Sequence, residues 1–308
     1  MTDSLSSHAL EQLAQQLEQH PDYRVLRRLV PRHTMNEALP GQRLCKGVVL
    51  DTETTGLDAT NDRVIELGML VFEFDPQTGV VYKVLNVFDE LEDPGFAIPP
   101  ATIAVHHITD EMVQGKRIDD AQVAALMKDV QVVIAHNAKF DRPFVEARWP
   151  LFQHLNWACS INDINWRDEG FGSAKLEYLV GTQGYFYEAH RAEADCWALL
   201  ELLNQVLPQS QQTAMLALLE TLNKPQEKIY AINSPFETKD MLKARGYRWS
   251  AELRCWSRVV AGPQERQQEL DWLKSRVYGQ RSARVEIETM GGQVRYSSRE
   301  GHKEMVTL

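Results

Sequence analysis

Apolar residues recur along this chain at two periods, and the change from one to the other divides it. Leu10, Leu13 and Leu17 fall at helical spacing behind Ser7, a residue able to cap such a helix, and Pro21 ends the run. Arg24, Arg27, Arg28 and Arg32 predict a second short helix, whose basic face either touches a phosphate backbone or pairs with an acidic body. From Lys46 strand patterns take over. Residues 47–51 form a short apolar strand, 64–74 alternate as a longer one, and the DPQTG turn at 75–79 leads into a third at 80–88, a hairpin signal. A loop with Pro94, Gly95, Pro99 and Pro100 then precedes a helix starting near Asp110. A buried strand at 132–135, a helix over 140–149, a strand near 158–161 and helices over 174–180 and 192–206 complete this stretch. Three antiparallel strands followed by alternating strands and helices predict a mixed sheet flanked by helices, an α/β architecture.

Residues 208–225 read as a helix-rich connector, and a smaller unit follows. It has a strand at 229–232, a helix at 237–245, a hairpin formed by 246–249 and 253–260, a helix over 264–277 and a second hairpin around 290–292. The expected organisation is a helical N-terminal extension (1–45), an α/β domain (46–207), a helical connector (208–226) and a small basic α+β domain (227–308).

Composition narrows the class. With 44% hydrophobic and 25% charged residues the chain can bury an ordinary core. No apolar run approaches the roughly 18 residues that cross a bilayer, and the N-terminus lacks the basic-then-apolar pattern of a secretory signal, so a cytoplasmic setting without a membrane partner is expected. Cys45, Cys159, Cys196 and Cys255 have no paired spacing and read as free thiols, neither zinc ligands nor a disulfide framework. The net charge of −10 opposes a nucleic-acid ligand only until its distribution is counted. Residues 224–308 hold 16 Lys/Arg against 11 Asp/Glu, whereas residues 1–223 hold 17 against 32. An acidic body with a basic end fits a metal-binding unit joined to a polyanion-binding one, although many acidic proteins are locally basic at one end.

Three clusters carry candidate chemistry. In VVLDTETTG, Asp51 and Glu53 stand two apart at the end of an apolar strand and so project to one side. In HNAKFD, Asn137 and Asp141 again follow an apolar strand, and in HRAEAD, His190 just precedes a helix with Asp195 in its first turn. Taken singly, each has an ordinary structural reading: a solvated acidic pair, helix N-terminal charges, a loop histidine. Taken in order, DxE, N-x3-D and H-x4-D resemble the three motifs of the DEDDh 3′–5′ exonucleases, a family that includes the proofreading subunit of bacterial replicative polymerases. The segment IPPATIAVHHIT (98–109) is similar to the family's VHGIT stretch, with His106 in place and His107 where glycine is usual. The resemblance runs from about Lys46 to Val206.

That resemblance implies a ribonuclease H-like fold, release of nucleotides from 3′ ends, and two Mg2+ ions for which Mn2+ substitutes. It implies that Asp51 bridges both ions, that Glu53 and Asp195 hold the ion binding the attacking water, that Asp141 supports the second, and that His190, on a mobile loop, is the general base. Residue chemistry agrees with it. Phosphodiester hydrolysis needs an activated nucleophile and stabilised charge on the phosphate and leaving oxygen, which two ions about 3.5–4 Å apart supply. Magnesium prefers carboxylate oxygen to sulfur or imidazole, and four carboxylates brought together repel one another without cations. Histidine is the side chain whose unperturbed pKa lies near neutrality.

The neighbours form a candidate substrate-binding set. Backbone amides of Thr52 to Gly56, with the Thr54 and Thr55 hydroxyls, can bond a terminal 3′-OH and its phosphate. Leu57 and Phe140 either pack against terminal bases or belong to the core, the core reading being favoured for Phe140; Asn137 either fixes its loop or contacts substrate; His106 joins the set through its segment. In the basic end, Tyr230, Phe236, Tyr247, Trp249 and Trp256 interleave with eight Lys/Arg, the composition of a single-strand surface. So small a domain also needs aromatics for its core, and Trp249 and Trp256 read first as buried. The stretch from Phe236 to Trp256 resembles a small module fused to plasmid primases, which implies an accessory nucleic-acid role. The expected partners are single-stranded or frayed 3′ ends of DNA, with RNA ends and a polymerase or repair complex as alternatives.

Overall fold

A computed structural model describes residues 6–308. Helix α1 (Ser7–Glu18) is capped by Ser6, whose Oγ accepts from the Ala9 amide, one residue before the expected cap. The arginine helix expected next is replaced by extended chain: Arg27–Arg28 is a two-residue strand, β1. Arg27 bridges Glu11 and Glu18, Arg28 reaches Glu188 and Arg32 reaches Glu201. In extended backbone successive side chains leave on opposite sides, so Arg27 turns to the acids of α1 while Arg28 turns to the body.

The central sheet begins with three antiparallel strands, β2 (Cys45–Thr54), β3 (Val64–Phe74) and β4 (Val81–Leu91). Pro100 then opens a helix, α2 (Pro100–His106), where a loop was expected, because proline loses no hydrogen bond at the first helical position. It ends at His107 with φ 59, the left-handed region that favours glycine. Short helices α3 (Asp110–Val113) and α4 (Asp120–Leu126) lead to β5 (Val130–Ala135), α5 (Ala138–Arg148) and β6 (Trp157–Cys159). Then come α6 (Leu176–Thr182), β7 (Tyr185–Phe186, paired with β1), α7 (Ala192–Leu203) and α8 (Ala214–Leu222). Strand order is β4-β3-β2-β5-β6, with β5 parallel to β2 and β6 parallel to β5. This is the mixed α/β sheet that the hydrophobic pattern predicts.

Alternate residues of β2 enter two cores. Val49 packs with Leu199, Leu200 and Met215 on the face covered by α7 and α8, while Val48 and Leu50 pack with Phe144 and Val145 of α5. Each such side chain contributes about 1.5–3 kcal/mol by burial, so a one-residue slip, which would exchange the two faces, is strongly disfavoured. The same register fixes where Asp51 and Glu53 emerge. Gly68 of β3 lies opposite Asp51, and a Cβ there would come within 2.5 Å of the Ala192 carbonyl carbon. The bare glycine lets the first turn of α7 lie directly on the sheet.

The second sheet contains β8 (Gln226–Ala231), β9 (Arg248–Ser250), β10 (Cys255–Val260), β11 (Arg284–Met290) and β12 (His302–Thr307), in the antiparallel order β12-β11-β8-β10-β9. Helix α9 (Lys239–Ala244) precedes β9, and α10 (Gly262–Trp272) follows β10 and continues as a π-helical turn over Leu273–Val277. Ile229, Leu242, Tyr247, Val260, Leu273 and Ile287 form its core, with Trp256 partly buried against it. Trp249, expected inside, is 52% exposed, because β9 is the short edge of the sheet.

The connection from β11 to β12 (291–301) is docked on the first sheet. The Trp157 amide donates to the Gly292 carbonyl (2.9 Å), continuing the edge at β6. Arg142 of α5, wholly buried, donates to Glu146 (2.6 Å) and to the carbonyls of Gly292 (2.9 Å), Gln293 and Arg295. Arg295, also buried, donates to Asp163 (3.1 Å) and to the carbonyls of Thr221 and Lys224, while Arg299 reaches Glu146. The four cysteines are free and buried, and among the described residues no helix is long and apolar enough to cross a membrane.

Candidate active site

At the end of β2, the carboxylates of Asp51 and Glu53 meet that of Asp195 from the first turn of α7, with one oxygen of each lying within 4.8 Å of the others. Asp141 arrives from the opposite side, in the first turn of α5. Its Oδ1 accepts from the amide (3.1 Å) and hydroxyl (2.9 Å) of Thr52, which ties α5 to β2 between the two acids. His190 stands just before α7 with φ 66 and an exposed side chain, and its amide donates to Asp195 Oδ2 (2.8 Å). Asp195 Oδ1 accepts from the Tyr187 hydroxyl (2.8 Å). All five predicted catalytic residues line one cleft of roughly 550 Å³.

This grouping strains its own charges. Burial, followed by the charges of Asp141, Asp195 and Glu53, pushes the Asp51 carboxyl well above its usual range. Burial, then Asp195 and Glu66, lifts Glu53 to about 8. Burial lifts Asp141 to about 7 against the opposing bonds from Thr52, and it raises Asp195 against those from Tyr187 and His190. Among the described residues no lysine or arginine pairs with any of the four; Arg191, the nearby cation, is held by Glu66 (2.6 Å). An all-oxygen donor set, crowded and with no lysine or arginine paired to it, fits a hard divalent cation that keeps some of its waters.

Of the expected substrate-binding residues, Thr52, Asn137 and Phe140 line the cleft, while Thr54, Thr55, Gly56, Leu57 and His106 lie outside its walls. Phe140 is partly buried against Phe144, ring centroids 5.2 Å apart, and still faces the cleft, so it is both core and wall. Asn137 has φ 85 and an exposed side chain. The Thr54 hydroxyl donates to the Gly56 carbonyl (2.6 Å), and that of Thr55 donates to Asp62 (3.2 Å) while accepting from the Arg63 amide (3.0 Å). These bonds shape a turn whose tip carries Leu57, 86% exposed. His106 is buried, with Nδ1 accepting from the Ile108 amide (3.0 Å).

Several residues at the site escape sequence reasoning. Fully buried Glu66 accepts from Arg191 Nε (2.9 Å), Arg191 Nη2 (2.6 Å) and the Ala192 amide (3.0 Å), anchoring the chain immediately after His190. An acid flanked by apolar residues near the start of β3 is the signal that could have found it. His136 lines the cleft and bonds Ser160 Oγ through Nδ1 (2.8 Å), and burial pulls its pKa down to about 4. It sits inside the HNAKFD motif, which is the signal that could have marked it. Tyr187, Lys175 and Glu177 also line the cleft, and no local pattern marks them.

Comparison with known proteins places this geometry in a family. The exonuclease family profile matches residues 48–203, half of the chain. A PolC-type DNA polymerase III of Lacticaseibacillus paracasei is 38% identical over 196 residues, covering 60% of this chain but only 12% of the polymerase. The DNA polymerase III subunit epsilon of Treponema pallidum is 31% identical over 166 residues, 51% of this chain and 74% of that subunit. Among solved structures, exonuclease X in complex with 5′ overhanging duplex DNA is similar over 56% of this chain and 98% of its own, at 26% identity and a TM-score of 0.43. E. coli exonuclease I in complex with a dA16 oligonucleotide is similar over 75% of this chain and 70% of its own, at 18% identity and a TM-score of 0.47. With the profile spanning the strands and helices that carry all five clustered residues, this chain belongs to the exonuclease family.

Proposed function

We propose that this chain releases nucleoside monophosphates from the 3′ ends of single-stranded or frayed DNA, with two Mg2+ ions held by Asp51, Glu53, Asp141 and Asp195. The observation that carries this reading is the convergence of three carboxylates within 4.8 Å beside His190. When bound, the ions would neutralise the scissile phosphate and the leaving oxygen and make a bound water more acidic. His190 takes the proton of the attacking water from its exposed position at the cleft; the bond from its amide to Asp195 keeps the loop beside the acids. Tyr187 orients Asp195 by donating to its other oxygen. Phe140 offers a ring face to the terminal base, a contact indifferent to sequence, and Asn137 offers an amide to the sugar or phosphate. The Thr52–Gly56 backbone and Leu57 border the approach of the strand. DNA is the favoured polymer because the relatives are components of DNA polymerase III, which also makes a polymerase a candidate partner. Buried free thiols fit a reducing compartment such as the cytoplasm.

The test is digestion of matched end-labelled DNA and RNA, single- and double-stranded, with Mg2+, Mn2+, Zn2+ or EDTA. Mononucleotides should leave the 3′ end of single-stranded DNA fastest, with Mn2+ replacing Mg2+, Zn2+ serving poorly and EDTA stopping release. Release from the 5′ end, or undiminished release in EDTA, would overturn the reading; faster release from RNA would overturn the choice of polymer.

A further inference from the structure

Outside the cleft, one end of the second sheet carries both exposed aromatic rings and exposed cations. Ala231 of β8, Trp256 of β10 and Trp249 of β9 pair in a row across the sheet. The chain leaving β8 at that row carries Phe236, 75% exposed, and the β9–β10 turn at the same end carries exposed Arg254. Trp249 shows half its surface, its ring 5.6 Å from that of Trp256, and Lys239 places its Nζ 4.3 Å from the Phe236 centroid.

Internal acids hold part of the module's positive charge. Arg245 and Arg258 are held by Glu269, Arg266 by Glu227 and Glu304, Arg295 by Asp163 and Arg299 by Glu146. Among the described residues, Lys239 and Arg254 at this end form no ion pair and are exposed; Lys243, Arg248, Lys274, Arg276, Arg281 and Arg284 are likewise exposed without an ion pair. Exposed rings beside unpaired cations complement a ligand that offers flat bases and a line of phosphates.

We propose that this end of the second sheet is a docking surface for single-stranded nucleic acid, with bases stacking on Phe236 and Trp249 and phosphates meeting Lys239 and Arg254. It rests on the nuclease reading only in that the docked strand is the one fed to the cleft. The 291–301 connection, locked by Arg142 and Arg295, holds this surface at a fixed span from the active site. A strand long enough to reach both places is therefore held at two points.

The test uses the full chain in EDTA, so that nothing is cleaved, and measures anisotropy of labelled oligodeoxythymidylate and oligouridylate of about 30 nucleotides, a length that exceeds one binding site. Phe236→Ala with Trp249→Ala should weaken binding at least tenfold, while a blunt DNA duplex, whose bases are hidden, should bind the variant as it binds wild type. Trp249→Phe, which keeps a ring, should retain most of the affinity, separating stacking from any loosening of the module. Lys239→Ala and Arg254→Ala together should flatten the dependence of log affinity on log salt by about 1.4, since each phosphate contact on a single strand contributes roughly 0.7. Hydrolysis of the p-nitrophenyl ester of thymidine monophosphate, in Mg2+, should be the same for all these proteins. Weakened binding to either polymer supports the proposal; wild-type affinity and salt slope on both, or an equal loss on the duplex, overturns it. A wild type that binds strands through this surface but hydrolyses neither ester nor strand would sink the nuclease reading and leave the surface standing.

Discussion

Replacing Glu53 by glutamine should stabilise the metal-free protein at pH 8 while abolishing its activity. Burial, then the charges of Asp195 and Glu66, lifts the Glu53 carboxyl from 4.5 to about 8. A carboxyl whose folded pKa exceeds its unfolded value holds its proton more tightly in the fold. Below about 4.5 both states are protonated and Glu53 costs nothing; as pH rises towards 8 the unfolded chain ionises freely and the fold does not, so stability falls. Taken whole, the lift is worth about 4–5 kcal/mol at pH 8. Glu53 keeps part of its surface in water, and its neighbours share the repulsion, which leaves about 2–3 kcal/mol. Glutamine preserves the shape and removes the charge. At roughly 2–4 °C per kcal/mol for a chain of this size, Glu53→Gln should melt about 4–12 °C above wild type in EDTA at pH 8, with the gap nearly closed at pH 5. Added Mg2+ should raise wild type more than the variant, because the ion stabilises the state that binds it. Thermal denaturation followed by circular dichroism at both pH values, with and without Mg2+, measures all of this. A variant melting at or below wild type in EDTA at pH 8, or a gap unchanged at pH 5, would refute the electrostatic argument.

His190→Ala should lower kcat by roughly 10²–10⁴-fold with little change in KM, since a general base acts in the transition state; an unaltered kcat would remove that role. Gly68→Ala drives a methyl group into the Ala192 backbone and should push α7, and Asp195 with it, away from Asp51. The expected cost is about 1–3 kcal/mol of stability and on the order of 100-fold in turnover, and wild-type turnover would show that α7 need not lie on β3. Arg295→Ala leaves Asp163 buried without its cation and should destabilise by about 3–5 kcal/mol; a melting temperature equal to wild type would mean that the 291–301 connection does not hold the two sheets together.

The strands of the first sheet and the five clustered residues were legible because each rests on a local signal. Val64 to Phe74 shows its strand in its own composition, and Asp51, Glu53, Asp141, His190 and Asp195 lie at fixed offsets within short motifs. What failed depends on partners distant along the chain. Arg27 and Arg28 looked like a helix face, but Glu11, Glu18 and Glu188 draw them into extended chain. Nothing local marks Arg142: beyond Glu146, four residues on, it holds carbonyls 150 or more residues later. The hydroxyls of Thr54 and Thr55 looked free for substrate, and a turn that closes only in three dimensions claims their protons for Gly56 and Asp62.

That same distance dependence changes what the basic end can be. Its excess of cations reads as a polyanion surface only while every cation is assumed free. Pairing with internal acids removes Arg245, Arg258, Arg266, Arg295, Arg299 and Lys303 from that surface. Two of these, Arg295 and Arg299, bind the unit to the nuclease fold, so cutting the chain near residue 224 would strip buried Asp163 and Arg142 of their partners as well as deleting any strand-binding residues. A loss of activity on such a truncation would therefore not distinguish a clamp from a structural brace. Substitutions at exposed Phe236, Trp249, Lys239 and Arg254 leave the brace intact. A brace has no reason to distinguish long strands from short ones, whereas a second anchoring point must, so the dependence of affinity on strand length separates the two.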